Sequence, residues 1–201
     1  MAIATFTGKI KGFVKFLPLI ANAKKTEVTI CLRGLRPGSV HAIHIHEYGD
    51  LRGGCKTTGG HWNPTNTTHG SYQVPSRPRH LGDLINNVEG DIEGKVCVSF
   101  VESGYEFGDL YGRAIVLHTL GDDLGLQGVS LRNNATDVVP YSAFSREALV
   151  SLCRARGYFG AMVYEKSREE LLEELNAQSL KTGNAGGRMT CAVIGRANAG
   201  R

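Results

Sequence analysis

The sequence predicts an all-β fold, and three observations carry that expectation. Its 26 glycines divide the chain into short runs rich in β-branched and aromatic residues, which is how strands joined by tight turns read. The run from Lys25 to Arg33 alternates: Thr26, Val28, Ile30 and Leu32 fall on one face, and Lys25, Glu27, Thr29 and Arg33 largely on the other, as in a strand with one buried side. Helical spacing is confined to one late stretch, between about residues 145 and 178.

The elements follow in order. Residues 2–10 and 12–20 read as two strands broken at Gly12, and KKTEVTICLRGL as a third. Arg36-Pro37-Gly38 is a turn, after which SVHAIHIHE returns to strand character. From Gly49 to about Arg79 the apolar periodicity is lost. A loop of that length inside a domain is usually functional or held by a ligand. KVCVSFVE (95–102), RAIVLHTL (113–120) and RMTCAVIGRA (188–197) complete the strands. Between the last two lie SREALVSLCRAR (145–156), capped by Ser145 and ended by Gly157, and SREELLEELNAQ (167–178), where Ser167 and Glu170 make a capping box. Leu171, Leu172 and Leu175 form the second helix's apolar stripe. Two helices this short do not make a second domain, so residues 1–201 are expected to be one domain with a helical insertion at about 129–178.

A net charge of +4, spread without a basic cluster, gives no indication of nucleic-acid binding. No segment approaches the ~18 apolar residues that span a bilayer. Lys9, Lys11 and Lys15 interrupt any apolar run of signal-peptide length, so the expected location is cytoplasmic, with neither nucleic acid nor membrane as partner. Cys31, Cys55, Cys97, Cys153 and Cys191 form no C-x-x-C pair, and an odd number in a reducing compartment favours free thiols.

All seven histidines fall between residues 41 and 118. His44 and His46 lie two apart in a strand and so project from one face, about 6–7 Å apart at the backbone. That spacing suits two nitrogens closing on one metal ion; a merely polar strand face would read the same way. GGHWNPTNTTHG and RPRHLGD add His61, His69, His80 and Asp83 within one glycine-rich excursion. His118 stands in the apolar run AIVLHTL, where a lone histidine is more often a hydrogen-bonded core residue.

HIHEYGD, GGHWNP, RHLGDL, LHTLGDDLG and KTGNAGGRMTCAVIG together resemble, in order, the signature segments of the copper/zinc superoxide dismutases. The resemblance covers roughly residues 1–128 and 179–198. It implies an eight-stranded Greek-key β-barrel or sandwich with a long metal-binding loop. It also implies one copper held by His44, His46, His61 and His118, and one zinc held by His61, His69, His80 and Asp83, with His61 shared. Asp122 would link a copper histidine to a zinc histidine, and His41 would make hydrogen bonds without being a ligand. Arg188 would attract a small anion beside the copper, with Thr182 narrowing the channel and Lys181 adding positive potential. Cys55 and Cys191 would form a disulfide, leaving Cys31, Cys97 and Cys153 free. The implied activity is dismutation of superoxide anion, with His61 and Arg188 catalytic, in a homodimer with Leu51 and Ile194 at its contact; a copper chaperone is a further candidate partner, with the route of copper loading left open. Two further readings stay open: a catalytically silent copper-delivery relative, and a zinc-stabilised structural domain.

Overall fold

The structure, a computed structural model, describes residues 1–19, 22–130 and 135–198. Ile20, at the end of the second expected strand, and residues 131–134 of the expected insertion lie outside them. Eleven strands occur among the described residues: β1 (Ala2–Thr7), β2 (Lys11–Leu19), β3 (Asn22–Arg33), β4 (Val40–His46), β5 (Asn87–Glu89), β6 (Lys95–Ser103), β7 (Ala114–His118), β8 (Gly128–Ser130), β9 (Val138–Pro140), β10 (Arg188–Val193) and β11 (Gly195–Arg196). One sheet runs β11-β1-β2-β3-β6, a second β10-β7-β4-β5, and β8 and β9 form a separate pair. The described residues are mostly β, as expected, with two α-helices among them.

The first sheet keeps one buried face. In β3, Thr26, Val28, Ile30 and Leu32 are all buried, as the alternation predicts. The second sheet is different: every residue of β7, and all of β4 from His41 to His46, is buried. Such strands are covered on both faces and lose the polar alternation. Ile43, Ile45, Ile115 and Leu117 join the core between the sheets. His44 and His46, of opposite parity, leave β4 on its other side. The antiparallel register sets His44 against Val116 and Arg188 against His118, which brings three distant segments side by side.

A second apolar cluster lies in the insertion. Helix α1 (Arg146–Arg156) has Ser145 at its N-cap accepting from the Ala148 N–H, and Gly157 closes it in the left-handed region at φ 78°. Helix α2 (Arg168–Thr182) carries the Ser167–Glu170 capping box. Leu149, Cys153, Leu171 and Leu175 pack between the helices with Tyr141 and Val163. α2 runs four residues past the expected end at Gln178, because nothing in Ser179-Leu180-Lys181-Thr182 breaks a helix before Gly183. Among the described residues no helix is long and apolar enough to cross a membrane.

Two expectations fail. Cys31 and Cys97 are not free thiols: they are directly opposite in the β3–β6 register, with Cα atoms 4.1 Å apart, and are joined in a disulfide. The expectation missed them because register between distant strands is not written in cysteine spacing. Ile194 is 1% exposed and belongs to the core, so it offers nothing to a contact surface, whereas Leu51 and Val193 are each 38% exposed. Cys153 is a free, buried thiol.

Candidate metal centre

Strand β4, strand β7 and the loop between β4 and β5 deliver the histidines. His44, His46, His61 and His118 each offer a ligand atom within 4.8 Å of the others, and so do His61, His69, His80 and Asp83. His61 is in both groups, and all seven residues are buried. A third group joins His44 and His69 to Asp122.

Hydrogen bonds decide which nitrogen of each ring is left over. His44 donates from Nε2 to Asp122 Oδ2 at 2.8 Å, leaving Nδ1 buried without a partner. His46 donates from Nδ1 to the Gly59 carbonyl at 3.0 Å, and its Nε2 faces His118 Nε2 at 3.3 Å. His61 Nδ1 lies 3.0 Å from Asp83 Oδ1, while its Nε2 is buried and unpaired. An unpaired buried polar atom costs about 1–3 kcal/mol. Bare nitrogens converging in one place therefore call for a cation, and imidazole suits copper and zinc alike.

The second group is crowded around one oxygen. The Nδ1 atoms of His61, His69 and His80 stand 3.0, 2.9 and 3.1 Å from Asp83 Oδ1. A carboxylate oxygen has about two lone-pair sites, too few for three rings. Three nitrogens and a carboxylate form a set that zinc accepts with a closed shell. Local backbone explains the proximity of two of them: residues 80–83 form a 3₁₀ turn in which the His80 N–H donates to Asp83 Oδ2 at 2.8 Å. The donor sets thus fit both implied metals.

Electrostatics divide the two groups. Burial, reinforced by His44, pushes His61 down to about 3. Burial with the neighbouring rings His61 and His118 lowers His46, and burial with His44 and His61 lowers His118. His69 moves the other way: burial opposes its charge, but the Asp122 and Asp83 carboxylates outweigh it and raise it. For Asp83 and Asp122 burial again opposes ionisation, and His69 leads the contacts that hold both below the usual carboxylate range. Burial and neighbouring rings thus favour the neutral form of His46, His61 and His118, while His69, Asp83 and Asp122 support one another's charge.

Asp122 spans both groups, accepting from His44 Nε2 and from His69 Nε2 at 2.9 Å. His41 lies outside both and bonds the His118 carbonyl and Ser39 Oγ, each at 2.9 Å. Arg188 is tied to the turn at residues 55–59. Its Nη1 donates to the Cys55 carbonyl at 2.7 Å and Thr58 Oγ1 at 3.0 Å, and its Nη2 to the Gly59 carbonyl at 2.5 Å. The Cys55–Cys191 disulfide fastens that turn to β10. An open cleft of about 630 Å³ lies beside Arg188, lined by Gly53, Cys55, Lys56, Gly186, Gly187 and Met189. Lys181 and Thr182 are not among its lining residues: they occupy the last turn of α2, and the Thr182 hydroxyl donates to the Gln178 carbonyl at 3.3 Å.

Sequence reasoning missed Lys56, an exposed cation of the cleft with no ion pair among the described residues. It also missed Asn86 and Asn87, which hold Asp122: Asn86 Nδ2 donates to Asp122 Oδ2 at 3.1 Å, and Asn87 Oδ1 accepts from the Asp122 N–H at 2.7 Å. Two consecutive asparagines just after the His80–Asp83 motif were the available signal.

The fold and these side chains define a mostly β protein with two adjoining, imidazole-rich groups able to hold metal ions. A model of the copper/zinc superoxide dismutase family matches residues 10–139, and the chain belongs to that family. It is 35% identical over 199 residues to a Cu-Zn superoxide dismutase of Paramecium bursaria Chlorella virus 1, covering 98% of this chain and 78% of that one. An Onchocerca volvulus Cu-Zn superoxide dismutase is 30% identical, with 96% and 94% covered. The human copper chaperone for superoxide dismutase is 37% identical over 128 residues, which is 64% of this chain and 44% of the chaperone. A crystal structure of the clock protein EA4 superposes with TM-score 0.64 at 30% identity, covering 96% and 92%.

Proposed function

We propose that the chain is a superoxide dismutase, which converts two superoxide anions and two protons into oxygen and hydrogen peroxide. The observation that carries this reading is the shared ring: His61 belongs to both groups, with Nδ1 toward Asp83 and Nε2 free toward His44, His46 and His118. His44, His46, His61 and His118 would hold copper; His61, His69, His80 and Asp83 would hold zinc. Copper would supply a one-electron couple, and zinc, which has none, would organise its ligands.

The chain's own residues do the rest. Arg188, always charged, draws the anion into the cleft, and Lys56 adds to the field there. With Nδ1 held on the Asp83 side, His61 would carry a proton at Nε2, the ring atom left without a partner. Burial keeps water from competing for it. Asp122 fixes His44 and His69 in orientation.

With the separate β8–β9 pair set aside, and β10 and β11 counted as one strand that changes sheets at Ile194, eight strands remain, which we read as a Greek-key barrel. We take residues 1–201 as one domain with an insertion at about 129–178. Leu51 and Val193 suit a homodimer contact, measurable as oligomeric state. A cytoplasmic location is tested by fractionation; two disulfides pull toward an oxidising compartment.

Reconstitution tests the function. One copper and one zinc per chain with superoxide-dependent turnover, lost in His118→Ala, supports it. Zinc uptake alone would overturn it. The chaperone likeness favours a second reading, copper delivery without turnover. Copper transfer to an acceptor by a chain that does not dismute superoxide would establish that reading.

A further inference from the structure

The turn Leu120–Leu124 carries two consecutive buried carboxylates that serve different parts of the molecule. Asp122 bonds the imidazoles of His44 and His69. Asp123 serves the insertion: its Oδ2 accepts from the Tyr141 hydroxyl at 2.7 Å and from Asn184 Nδ2 at 2.7 Å, and its Oδ1 from the Ser179 hydroxyl at 2.9 Å and the Gly125 N–H at 3.1 Å. Tyr158, also from the insertion, donates to Asn184 Oδ1 at 2.8 Å. Tyr141 and Ser179 are fully buried, and Tyr141 belongs at the same time to the core between α1 and α2.

The end of α2 touches the metal side directly. The His69 N–H donates to the Leu180 carbonyl at 2.8 Å, so the backbone of His69 hangs from the helix's last turn. Gly183, which closes α2 at φ 64°, is seated against the Asp122–His69 hydrogen bond: a Cβ there would stand 2.6 Å from His69 Nε2. No described residue of the insertion lines the cleft beside Arg188.

We propose that Tyr141 and Asp123 are positioning residues for zinc. Through them the folded helical insertion holds the end of α2, and hence His69 and Asp122, in place. The proposal rests on reading His69 as a zinc ligand. A rigid helix end supports both the ring's backbone and its carboxylate partner; Asp123 holds that end through Ser179, and the Tyr141 hydroxyl ties Asp123 to the core of the insertion. Coupling of this kind is reciprocal: if the folded insertion favours zinc, zinc must favour the folded insertion.

The test uses the full chain freed of metal, with Zn²⁺ affinity measured by chelator competition, Co²⁺ as a spectroscopic probe of the same site, and hydrogen exchange of the α1 amides. Loss of a partner outside the ligand shell typically costs about 10–100-fold in metal affinity, and one further removed should cost about 3–10-fold. Tyr141→Phe should therefore weaken Zn²⁺ by about 3–10-fold and alter the Co²⁺ visible bands. Zn²⁺ should slow exchange in α1 of the parent chain and do so less in the variant. Val98→Ala, a barrel change remote from the network, should lower the melting temperature with Zn²⁺ affinity within about twofold of the parent. Should Tyr141→Phe fail to fold, Ser179→Ala removes another donor to Asp123 and is read the same way. Unchanged Zn²⁺ affinity, or an equal loss in Val98→Ala, overturns the proposal, as does a parent chain that binds no Zn²⁺. Tight, coupled Zn²⁺ binding without superoxide turnover would instead sink the dismutase reading and leave the coupling standing.

Discussion

The two halves of the histidine cluster share a ring but are built in opposite ways. His44, His46 and His118 stand on β4 and β7, strands buried on both faces, and burial with neighbouring rings drives His46 and His118 toward neutrality. His69, His80 and Asp83 stand on a loop with only a short 3₁₀ turn, and two carboxylates organise them. Rigid backbone can hold bare nitrogens close together, whereas a loop needs charges or a cation to fix its geometry. The comparison teaches that the strand half is pre-formed, while the loop half depends on what it binds.

The largest expected effect comes from breaking one half at a time. His118→Ala should cut dismutation by more than about 100-fold, beyond the loss of an outer-shell partner, yet leave Zn²⁺ uptake intact. Asp83→Ala should abolish Zn²⁺ uptake and loosen the loop, seen as faster hydrogen exchange across residues 61–83, while β4 stays protected. Equal loosening of β4 and the loop in Asp83→Ala would erase the distinction.

Next comes the covalent tie. Cys191→Ser opens a link spanning 136 residues and should lower stability by about 2–5 kcal/mol, read as a lower denaturant midpoint. It should also free the turn whose carbonyls grip Arg188, lowering activity in molecules that remain folded. Activity unchanged at full metal content would separate the disulfide from the arginine.

Arg188→Ala should reduce the low-salt rate about 10-fold with copper and zinc content unchanged. Lys56→Glu should reduce it less, and both losses should shrink as ionic strength rises. A salt-independent loss would make these residues structural and not attractive to the anion.

The smallest effect is acid sensitivity of the metal-free protein. His46, His61 and His118 have folded values below the ordinary 6.5, so the unfolded chain binds more protons as pH falls. The stability these three rings contribute is therefore full above about pH 6.5 and drains as pH falls toward the His61 value of about 3. Depressed Asp83 and Asp122 act in the same direction below 3.8, whereas raised His69 contributes fully below 6.5 and loses that contribution as pH rises through its folded value. Melting temperature should drop by about 2–4 °C for each 1 kcal/mol lost. A flat profile between pH 7 and 4 would mean that the strand-half rings are already charged.

Much of this was legible in the residues. Alternation in β3 gave its buried face correctly, and Ser145, Ser167 and Gly157 marked helix ends by capping chemistry, which is local. The histidine grouping was visible because its spacing is short. What stayed hidden is long-range. The Cys31–Cys97 pair depends on register between strands 66 residues apart. The Asp123–Tyr141–Asn184 network joins three segments with no common motif, and Lys56 reads as an ordinary loop lysine until the cleft exists. α2 outran its expected end at Gln178 because helix propensity continues to Gly183.

The bond between Cys31 and Cys97 has a consequence for the edge of the larger sheet. β6 is its last strand and meets β3 at nine consecutive pairs, with the two sulfurs at one of them. Sliding by one position would turn Val96, Val98 and Phe100 outward and Lys95 and Ser99 inward. A rivet at one pairing forbids that slip even when the surrounding hydrogen bonds open. An unprotected rim strand, otherwise free to exchange neighbours with another molecule, is in this way kept in its own frame.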